Sequence, residues 1–357
     1  MKICFVIGSL SFSGAEKVLS NLIDRFDHNG HEMHVILLEQ KEVLIHMGST
    51  RFHHGAYGSG NRLLRIIRRT DKIRRIVKDV MPDVVVSFGN VSNINTIFAL
   101  LLSRVKLILC ERNDPKHDPR TKVGKLLRRI LYPLADHYIF QTEEIKSYFP
   151  RKIQRRSKII PNPVTNRIAQ PIDTSKNKVI AHVARLDDFQ KNQSMLIKTF
   201  ADISNNDDYI LKIYGDGPDK SKYQTLIDAL GMKDKIFLCG SYHSIQEVFN
   251  ETAIFVLTSN FEGMPNALIE AMSFGLPCIS TDCSGGGARS LIKNNENGLL
   301  VTVKDNSKLK DAIMLLMNNS DYRDKLGKMA FSINDTLSLD KIFAIWERTL
   351  KDFMIHS

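Results

Sequence analysis

Two carboxylates, Glu262 and Glu270, stand eight residues apart in the stretch Ser259-Asn260-Phe261-Glu262-Gly263-Met264-Pro265-Asn266-Ala267-Leu268-Ile269-Glu270-Ala271-Met272. Gly263 and Pro265 predict a turn that runs into the first position of a helix, whose unpaired amides at Asn266, Ala267 and Leu268 would face an anion. An acid placed just before such an anion hole is of no use to a phosphate. Its chemistry is to accept hydrogen bonds from a neutral polyol, such as a sugar attached to that phosphate. Glu270 follows two helical turns later on nearly the same face, within reach of a ribose diol. The same residues also fit a buried helix from Ala267 to Met272 with two surface glutamates, and this segment alone leaves that alternative open.

Strands and helices must position these groups, and the chain supplies them in a regular order. Lys2 to Gly8 is a short apolar run ending in glycine, and Ala15 to Phe26 follows with helical periodicity. His34 to Leu38, Val84 to Phe88, Leu107 to Leu109 and His137 to Phe140 are further buried-strand candidates with helical patterns between them. After Pro161-Asn162-Pro163-Val164 the alternation resumes with Val179 to Val183, Ile210 to Tyr214, Ile236 to Leu238, Ile254 to Leu257 and Cys278 to Ser280. Such alternation predicts an α/β fold of two doubly wound halves, each a parallel sheet covered on both faces. The proline-punctuated stretch near 161–176 is the expected linker, giving domains 1–163 and 164–337. The 357 residues suffice for two cores. A last amphipathic helix from Ser338 to Phe353, holding the only tryptophan, Trp346, is expected to pack back on the first domain.

Open α/β sheets bind ligands beyond the carboxyl ends of their strands, so the loops after the strands carry the candidate groups. After the first strand, Gly8 to Glu16 includes Ser13 and Gly14, which would let the backbone approach a phosphate or sugar. A plain strand-to-helix turn explains that loop equally well. It has neither dinucleotide-fingerprint nor P-loop spacing. After Val183, Arg185 offers a planar fork and Lys191 a point charge, which suit a departing diphosphate, although two surface cations would read the same. Tyr214-Gly215-Asp216-Gly217-Pro218 is a tight turn with room for a flat ring or ribose, or a simple entry of proline into a helix.

The net charge of +11 is uneven. Residues 1–160 hold 28 Lys plus Arg against 15 Asp plus Glu, a net of +13, and the remainder holds 22 against 24. The excess gathers in Arg62 to Lys78, Lys116 to Arg129 and Lys146 to Lys158. In the first cluster, Leu63, Ile66, Ile67, Ile73, Ile76 and Val77 recur at helical spacing among arginines, which predicts a basic amphipathic helix. Such a helix suits an anionic membrane or phosphorylated acceptor, or equally a solvated face over a core. No nucleic-acid motif accompanies the charge. With neither a leader-like start nor a long apolar stretch, the expectation is a cytoplasmic protein. The five cysteines are irregularly spaced, most of them in or just after strand-like runs, so neither a disulfide framework nor a zinc site is expected.

The ordered set resembles the retaining glycosyltransferases of family 4 over nearly the whole chain. It comprises Ser13-Gly14-Ala15-Glu16, Pro161-Asn162-Pro163-Val164, Ala184-Arg185-Leu186 with Lys191, Gly215-Asp216-Gly217-Pro218, and Phe261-Glu262-Gly263 through Glu270-Ala271-Met272 with Gly275 and Pro277. The resemblance implies the GT-B architecture, two Rossmann-like domains facing across a cleft, with the acceptor on the first and the nucleotide sugar mainly on the second. It assigns Arg185 and Lys191 to the donor diphosphate, Glu262 to the sugar hydroxyls and Glu270 to the ribose. Backbone amides from Gly263 through Met264, Pro265, Asn266 and Ala267 to Leu268 would support sugar and phosphate, and Gly14 would close on the phosphate from the other domain. Gly215 and the Cys239-Gly240-Ser241-Tyr242 loop would line base and ribose. No metal is expected, and no Asp-x-Asp spacing is present.

One departure stands out. Where many relatives carry a histidine, this chain reads Cys110-Glu111-Arg112-Asn113-Asp114-Pro115, with His117 nearby. Glu111, Arg112 and Asn113 are therefore candidates for the sugar or acceptor side, or alternatively pair with neighbouring residues.

The implied activity is transfer of a hexose or N-acetylhexosamine, from a donor expected to be UDP-linked, to a growing glycan in bacterial surface polysaccharide synthesis. The acceptor is expected to be polyprenyl-diphosphate-linked and held by the basic first domain at the inner membrane face. A sugar-nucleotide epimerase, a phosphorylase, or a basic non-enzymatic membrane or nucleic-acid binder are the rival readings. The first two explain the motif set less well, and the non-enzymatic reading leaves Arg185, Lys191, Glu262 and Glu270 unexplained.

Overall fold

The computed structural model describes residues 1–10, 14–39, 48–54, 61–203 and 208–356. They divide into two compact units, Met1–Thr165 with Leu339–Ser357, and Asn166–Ser338.

In the first unit a seven-stranded sheet contains β1 (Lys2–Ile7), β2 (Glu32–Leu37), β3 (Arg51–His54), β4 (Val84–Phe88), β5 (Lys106–Cys110), β6 (His137–Phe140) and β7 (Ser157–Ile159). Its order is β3-β2-β1-β4-β5-β6-β7, and every pairing is parallel. In the second unit, β8 (Val179–Val183), β9 (Ile210–Tyr214), β10 (Ile236–Gly240), β11 (Thr252–Leu257), β12 (Cys278–Thr281) and β13 (Leu299–Val301) pair in the order β10-β9-β8-β11-β12-β13, again all parallel. Both are doubly wound sheets, as the alternation of strand and helix predicts.

The central strands read as largely apolar runs because helices bury both of their faces. Every residue of β4, β8 and β11 is buried. In each unit the strand order reverses beside the first strand, between β1 and β4 and between β8 and β11. At such a reversal the loops leave toward opposite faces and open a crevice at the carboxyl ends.

Three strands have no counterpart among the runs read from the sequence: β3, β7 and β13. All are sheet edges of three or four residues. In β3 (Arg-Phe-His-His) and β7 (Ser-Lys-Ile) no residue is fully buried, so no apolar run marks them.

The helix Leu339–His356 belongs to the first unit. Trp346 is 1% exposed and stacks on Phe88 at 5.9 Å, and Phe343 meets Phe26 edge-on at 4.8 Å. Lys106 Nζ donates to the Met354 carbonyl at 3.1 Å.

Candidate active site

The carboxyl ends of β8 and β11 carry the two loops that hold the charged candidates. The loop after β8 passes Arg185, which is exposed, and enters the short helix Asp188–Lys191. The amide of Leu186 donates to the Asp216 carbonyl at 3.0 Å, and that of Ala184 to the Tyr214 carbonyl at 3.1 Å, so this loop lies flat on the turn after β9. Only glycine permits that approach. A Cβ on Gly215 would sit 2.0 Å from the Ala184 carbonyl oxygen, and Gly215 has φ +128°. Gln193 Nε2 donates to the Arg185 carbonyl at 2.8 Å, and the buried Tyr223 hydroxyl donates to Gln193 Oε1 at 2.6 Å, which fixes the loop from beneath.

The loop after β11 is tied to the first one. The Asn260 amide donates to the Gln190 carbonyl at 2.7 Å, the Thr258 hydroxyl to the Lys191 carbonyl at 3.1 Å, and Asn260 Nδ2 to the Phe189 carbonyl at 3.0 Å. These bonds deliver the chemistry: Lys191 Nζ lies 2.5 Å from Glu262 Oε1. The Ser259 hydroxyl donates to the same oxygen at 2.6 Å. Among the described residues Glu262 Oε2 receives only a long 3.5 Å approach from Gln190 Nε2. One carboxylate oxygen is therefore neutralised and held, while the other keeps acceptor capacity for a hydroxyl. Lys191 in turn has three donors and gives Glu262 one of them.

Glu262 and Glu270 are 5% and 8% exposed, which rules out the reading of two surface glutamates. Glu270 sits in the helix Asn266–Ser273. Tyr242, at the end of the loop after β10, lies in its field: partial burial first and the Glu270 charge second push the phenol up to about 12. The Tyr242 ring stands edge-on to Tyr214, 6.4 Å between centres.

The helix start differs from the sequence expectation in two details. Pro265 is the residue before the helix rather than its first member, and Asn266 opens it. The Leu268 amide is also not left over for an anion, because it donates to the Pro265 carbonyl at 3.2 Å in a tightened first turn. Pro265 supplies no side-chain cap. The Gly263 carbonyl packs so closely on Gly287 that a Cβ there would lie 2.1 Å away. Gly240 ends β10, and its carbonyl accepts from the Gly215 amide at 2.7 Å. The segment Cys239-Gly240 is thus strand rather than loop.

Sequence reasoning missed the residues that hold these groups in place. Ser259, Gln190 and Asn260 adjoin Glu262 and Lys191 in the chain, so adjacency was their only signal. His182 is fully buried in β8, its Nδ1–H donating to the Val256 carbonyl at 2.8 Å, while its Nε2 has no partner among the described residues. Burial first, and the Lys191 charge with it, bring its pKa down to about 4. A histidine inside an apolar strand was the available signal.

In the first unit, Gly14 opens the helix Gly14–His28, and Ser13 lies outside the described residues. Glu111 is 1% exposed and accepts from the Tyr132 hydroxyl at 2.9 Å, while Asn93 Nδ2 donates to that hydroxyl at 3.0 Å. Burial pushes Glu111 up to about 7, against the pull of Arg128. Arg112 Nη2 donates to Asn162 Oδ1 at 2.6 Å, and its guanidinium lies over the Phe88 ring. Asn113 accepts from the Asp114 amide at 2.9 Å, and Asp114 bonds His117 at 2.6 Å. These side chains are engaged with their own neighbours.

Among the described residues no group of three or more His, Cys, Asp or Glu is placed to hold a metal ion, and no helix is long and apolar enough to cross a membrane.

Comparison with known proteins places family models over residues 12–332. Residues 12–166 match the family model described as Glycosyltransferase Family 4, and residues 165–332 match Glycosyl transferases group 1. The chain is 27% identical over 339 residues, 91% of each protein, to the GalNAc-alpha-(1->4)-GalNAc-alpha-(1->3)-diNAcBac-PP-undecaprenol alpha-1,4-N-acetyl-D-galactosaminyltransferase of Campylobacter jejuni subsp. jejuni serotype O:2. It is 28% identical to the lipopolysaccharide 1,6-galactosyltransferase of Salmonella typhimurium, covering 85% of this chain and 86% of that one. Among solved structures, Anabaena HepE in complex with UDP-glucose superposes with TM-score 0.83 over 99% of this chain and 100% of its own, at 18% identity.

Proposed function

The chain belongs to the glycosyltransferases, with a family 4 domain followed by a group 1 domain, and from that premise we propose that it moves a hexose or N-acetylhexosamine from a UDP-sugar to a growing lipid-linked glycan, with retention at the anomeric carbon, in bacterial surface polysaccharide or oligosaccharide synthesis. The observation that carries the reading is the Lys191–Glu262 pair, 2.5 Å apart at the strand-order reversal and just ahead of the helix Asn266–Ser273. It sets a cation for phosphate and an acid for hydroxyls side by side, as a sugar joined to a diphosphate requires.

In the proposed mechanism the anomeric bond loosens toward an oxocarbenium-like state. Arg185 and the two remaining donors of Lys191 take up charge gathering on the β-phosphate, and a phosphate oxygen accepts the proton of the incoming hydroxyl on the same face. Glu262, held at Oε1, accepts from a sugar hydroxyl at Oε2, and Glu270 accepts from the ribose. Because cations and the helix's opening amides stabilise the leaving group, the reaction proceeds without a metal. The UDP preference is supported by the Anabaena protein's bound UDP-glucose, and the lipid-linked acceptor by the Campylobacter relative's name. The basic first unit would hold the protein at the inner face of the membrane, where such an acceptor is displayed.

The test is a thermal-shift panel of UDP-, GDP- and ADP-sugars, repeated with a chelator. A UDP-sugar should raise the melting temperature with or without chelator, since at a hundred times Kd it adds about 2.7 kcal/mol to the native state. If no nucleotide sugar shifts the transition, the donor assignment fails. Interconversion of free UDP-sugars with no acceptor present would identify an epimerase instead.

A further inference from the structure

The helix Lys122–Leu131 divides its surface into three parts. Gly124, Arg128 and Leu131 are buried. Lys122, Lys125 and Arg129 form one exposed stripe, and Val123, Leu126 and Ile130 form another that continues to Leu134 just beyond the helix. These four apolar side chains are 63%, 57%, 58% and 55% exposed, so a continuous apolar row lies on the surface beside a row of cations.

The other basic helix, Arg62–Val80, is built differently. Its Ile73, Ile76, Val77 and Val80 lie in the core, and only Leu64 and Ile67 are strongly exposed among its described apolar residues. Its amphipathic face is spent largely on the fold.

Beside the helix Lys122–Leu131 lies a cavity of about 530 Å³, its wall formed by Leu126, Tyr148, Phe149 and Ile153 together with Lys125 and Arg129. Two of the three basic clusters meet there. The second contributes the short helix Arg151–Arg155, on which Arg151, Lys152 and Arg155 are exposed. Two acidic groups of this segment are themselves near cations: Glu144 is 3.5 Å from Lys116, and Glu143 is exposed 3.8 Å from Lys146.

We propose that this face of the first unit, the Val123-Leu126-Ile130-Leu134 row with its flanking cations, is a docking surface for an anionic lipid bilayer. Cations at headgroup depth beside branched apolar side chains are the arrangement an interfacial helix needs: the first pair with lipid phosphates, the second enter the acyl boundary. An acidic protein surface would satisfy the cations but would leave the apolar row in water.

The inference deepens the membrane-side reading above and rests on it for its biological purpose. Its test stands apart. The full chain, without substrate, is sedimented with vesicles of phosphatidylcholine alone or mixed with phosphatidylglycerol, at low and high salt. Binding should require the anionic lipid and weaken with salt. Leu126→Ser with Ile130→Ser should lower the partition coefficient about thirtyfold or more, and Lys122→Ser with Arg129→Ser by a similar factor, the latter pair also flattening the salt dependence.

All four positions are exposed, and the melting temperature of each variant checks folding. Wild-type binding that ignores anionic lipid, or paired variants that bind as the wild type does, would overturn the proposal. So would an absence of vesicle binding together with a dimer that Leu126→Ser/Ile130→Ser abolishes. UDP-sugar stabilisation measured on the same samples reports the second unit. Its absence in all samples would refute the donor assignment while leaving the docking result standing, and the converse separates them the other way.

Discussion

Lys191 and Glu262 are each other's nearest charge, and this makes their loss non-additive in a measurable way. The side chains are 18% and 7% exposed and 2.5 Å apart. Removing one partner of a fully buried pair costs about 3–5 kcal/mol, and of an exposed pair about 0–1. In Lys191→Ala, Glu262 keeps the Ser259 hydroxyl at 2.6 Å and the distant Gln190 amide, so the cost should fall between, at about 2 kcal/mol. For a unit of this size that is a drop of about 4–8 °C in melting temperature. Glu262→Ala should cost about 1 kcal/mol, because a freed lysine can turn its ammonium toward water.

The double variant should be no worse than Lys191→Ala by more than a few tenths of a kcal/mol, since the orphaned carboxylate is then gone. Transfer to acceptor should fall about a hundredfold for either single change, the loss of one charge-assisted contact at the transition state or about 3 kcal/mol. Groups that act as one unit lose their function once, so the double variant should stay near about a hundredfold rather than ten thousandfold. Glu262→Gln keeps an acceptor oxygen for Lys191 and Ser259, and should hold the melting temperature while still slowing transfer. The reasoning is refuted if the stability and rate losses of the two single variants simply sum in the double, or if both single variants retain near-normal transfer.

Two further predictions follow from the geometry. Gly215→Ala places a Cβ 2.0 Å from the Ala184 carbonyl oxygen at φ +128°, and should lower the stability of the second unit by at least about 2–3 kcal/mol; an unchanged melting curve would contradict the close approach. His182 and Glu111 should tilt stability with pH in opposite directions. The folded pKa of His182 is brought down to about 4 from 6.5, so the unfolded chain binds the extra proton between those values and stability is lost as pH falls through that window. Glu111 is raised to about 7 from 4.5, so the folded chain binds the extra proton and that contribution is lost as pH rises from 4.5 to 7. Thermal melts of His182→Gln and Glu111→Gln across pH 4–8 should each remove one slope, of up to about 3 kcal/mol, and a profile unchanged by both substitutions would refute the assignments.

The central strands were legible because a parallel strand buried on both faces is mostly apolar, and Val84–Phe88 and Val179–Val183 each carry a single polar residue, Ser87 and His182. The edges β3 and β7 were not, since one side of an edge strand needs no apolar residue, and Leu299–Val301 is too short to stand out. In the second unit the charged loop residues were legible by type and position after a strand, and the structure brings Lys191 and Glu262 into direct contact. What spacing could not show was that contact. Nothing in the sequence interval between 191 and 262 says that Asn260 bonds Gln190, or that Thr258 bonds the Lys191 carbonyl, and those backbone ties place the ammonium on the carboxylate. The tightened first turn at Leu268 was illegible for the same reason: one extra i to i+3 bond leaves no mark in residue type.

The distribution of charge takes on a different meaning once burial is known. By composition the cations of the first unit look like one reservoir, but the structure sorts them. Arg128, though part of a basic run, is 3% exposed and spends its guanidinium on the Pro115 carbonyl at 2.7 Å and the Tyr148 hydroxyl at 2.9 Å. Arg112 is likewise spent on Asn162. Lys122, Arg129, Arg151 and Arg155 are exposed around an apolar surface. A diffuse attraction to anions would need only the total. The segregation of cations from apolar side chains along the helix Lys122–Leu131 suits the proposed interface with depth, in which charge and hydrocarbon would be met at different levels. In the second unit, by contrast, the cation proposed for the donor diphosphate, Lys191, is paired with an acid and mostly buried. Salt should therefore weaken membrane attachment far more than donor binding, because screening acts on exposed charges and spares a largely desolvated pair.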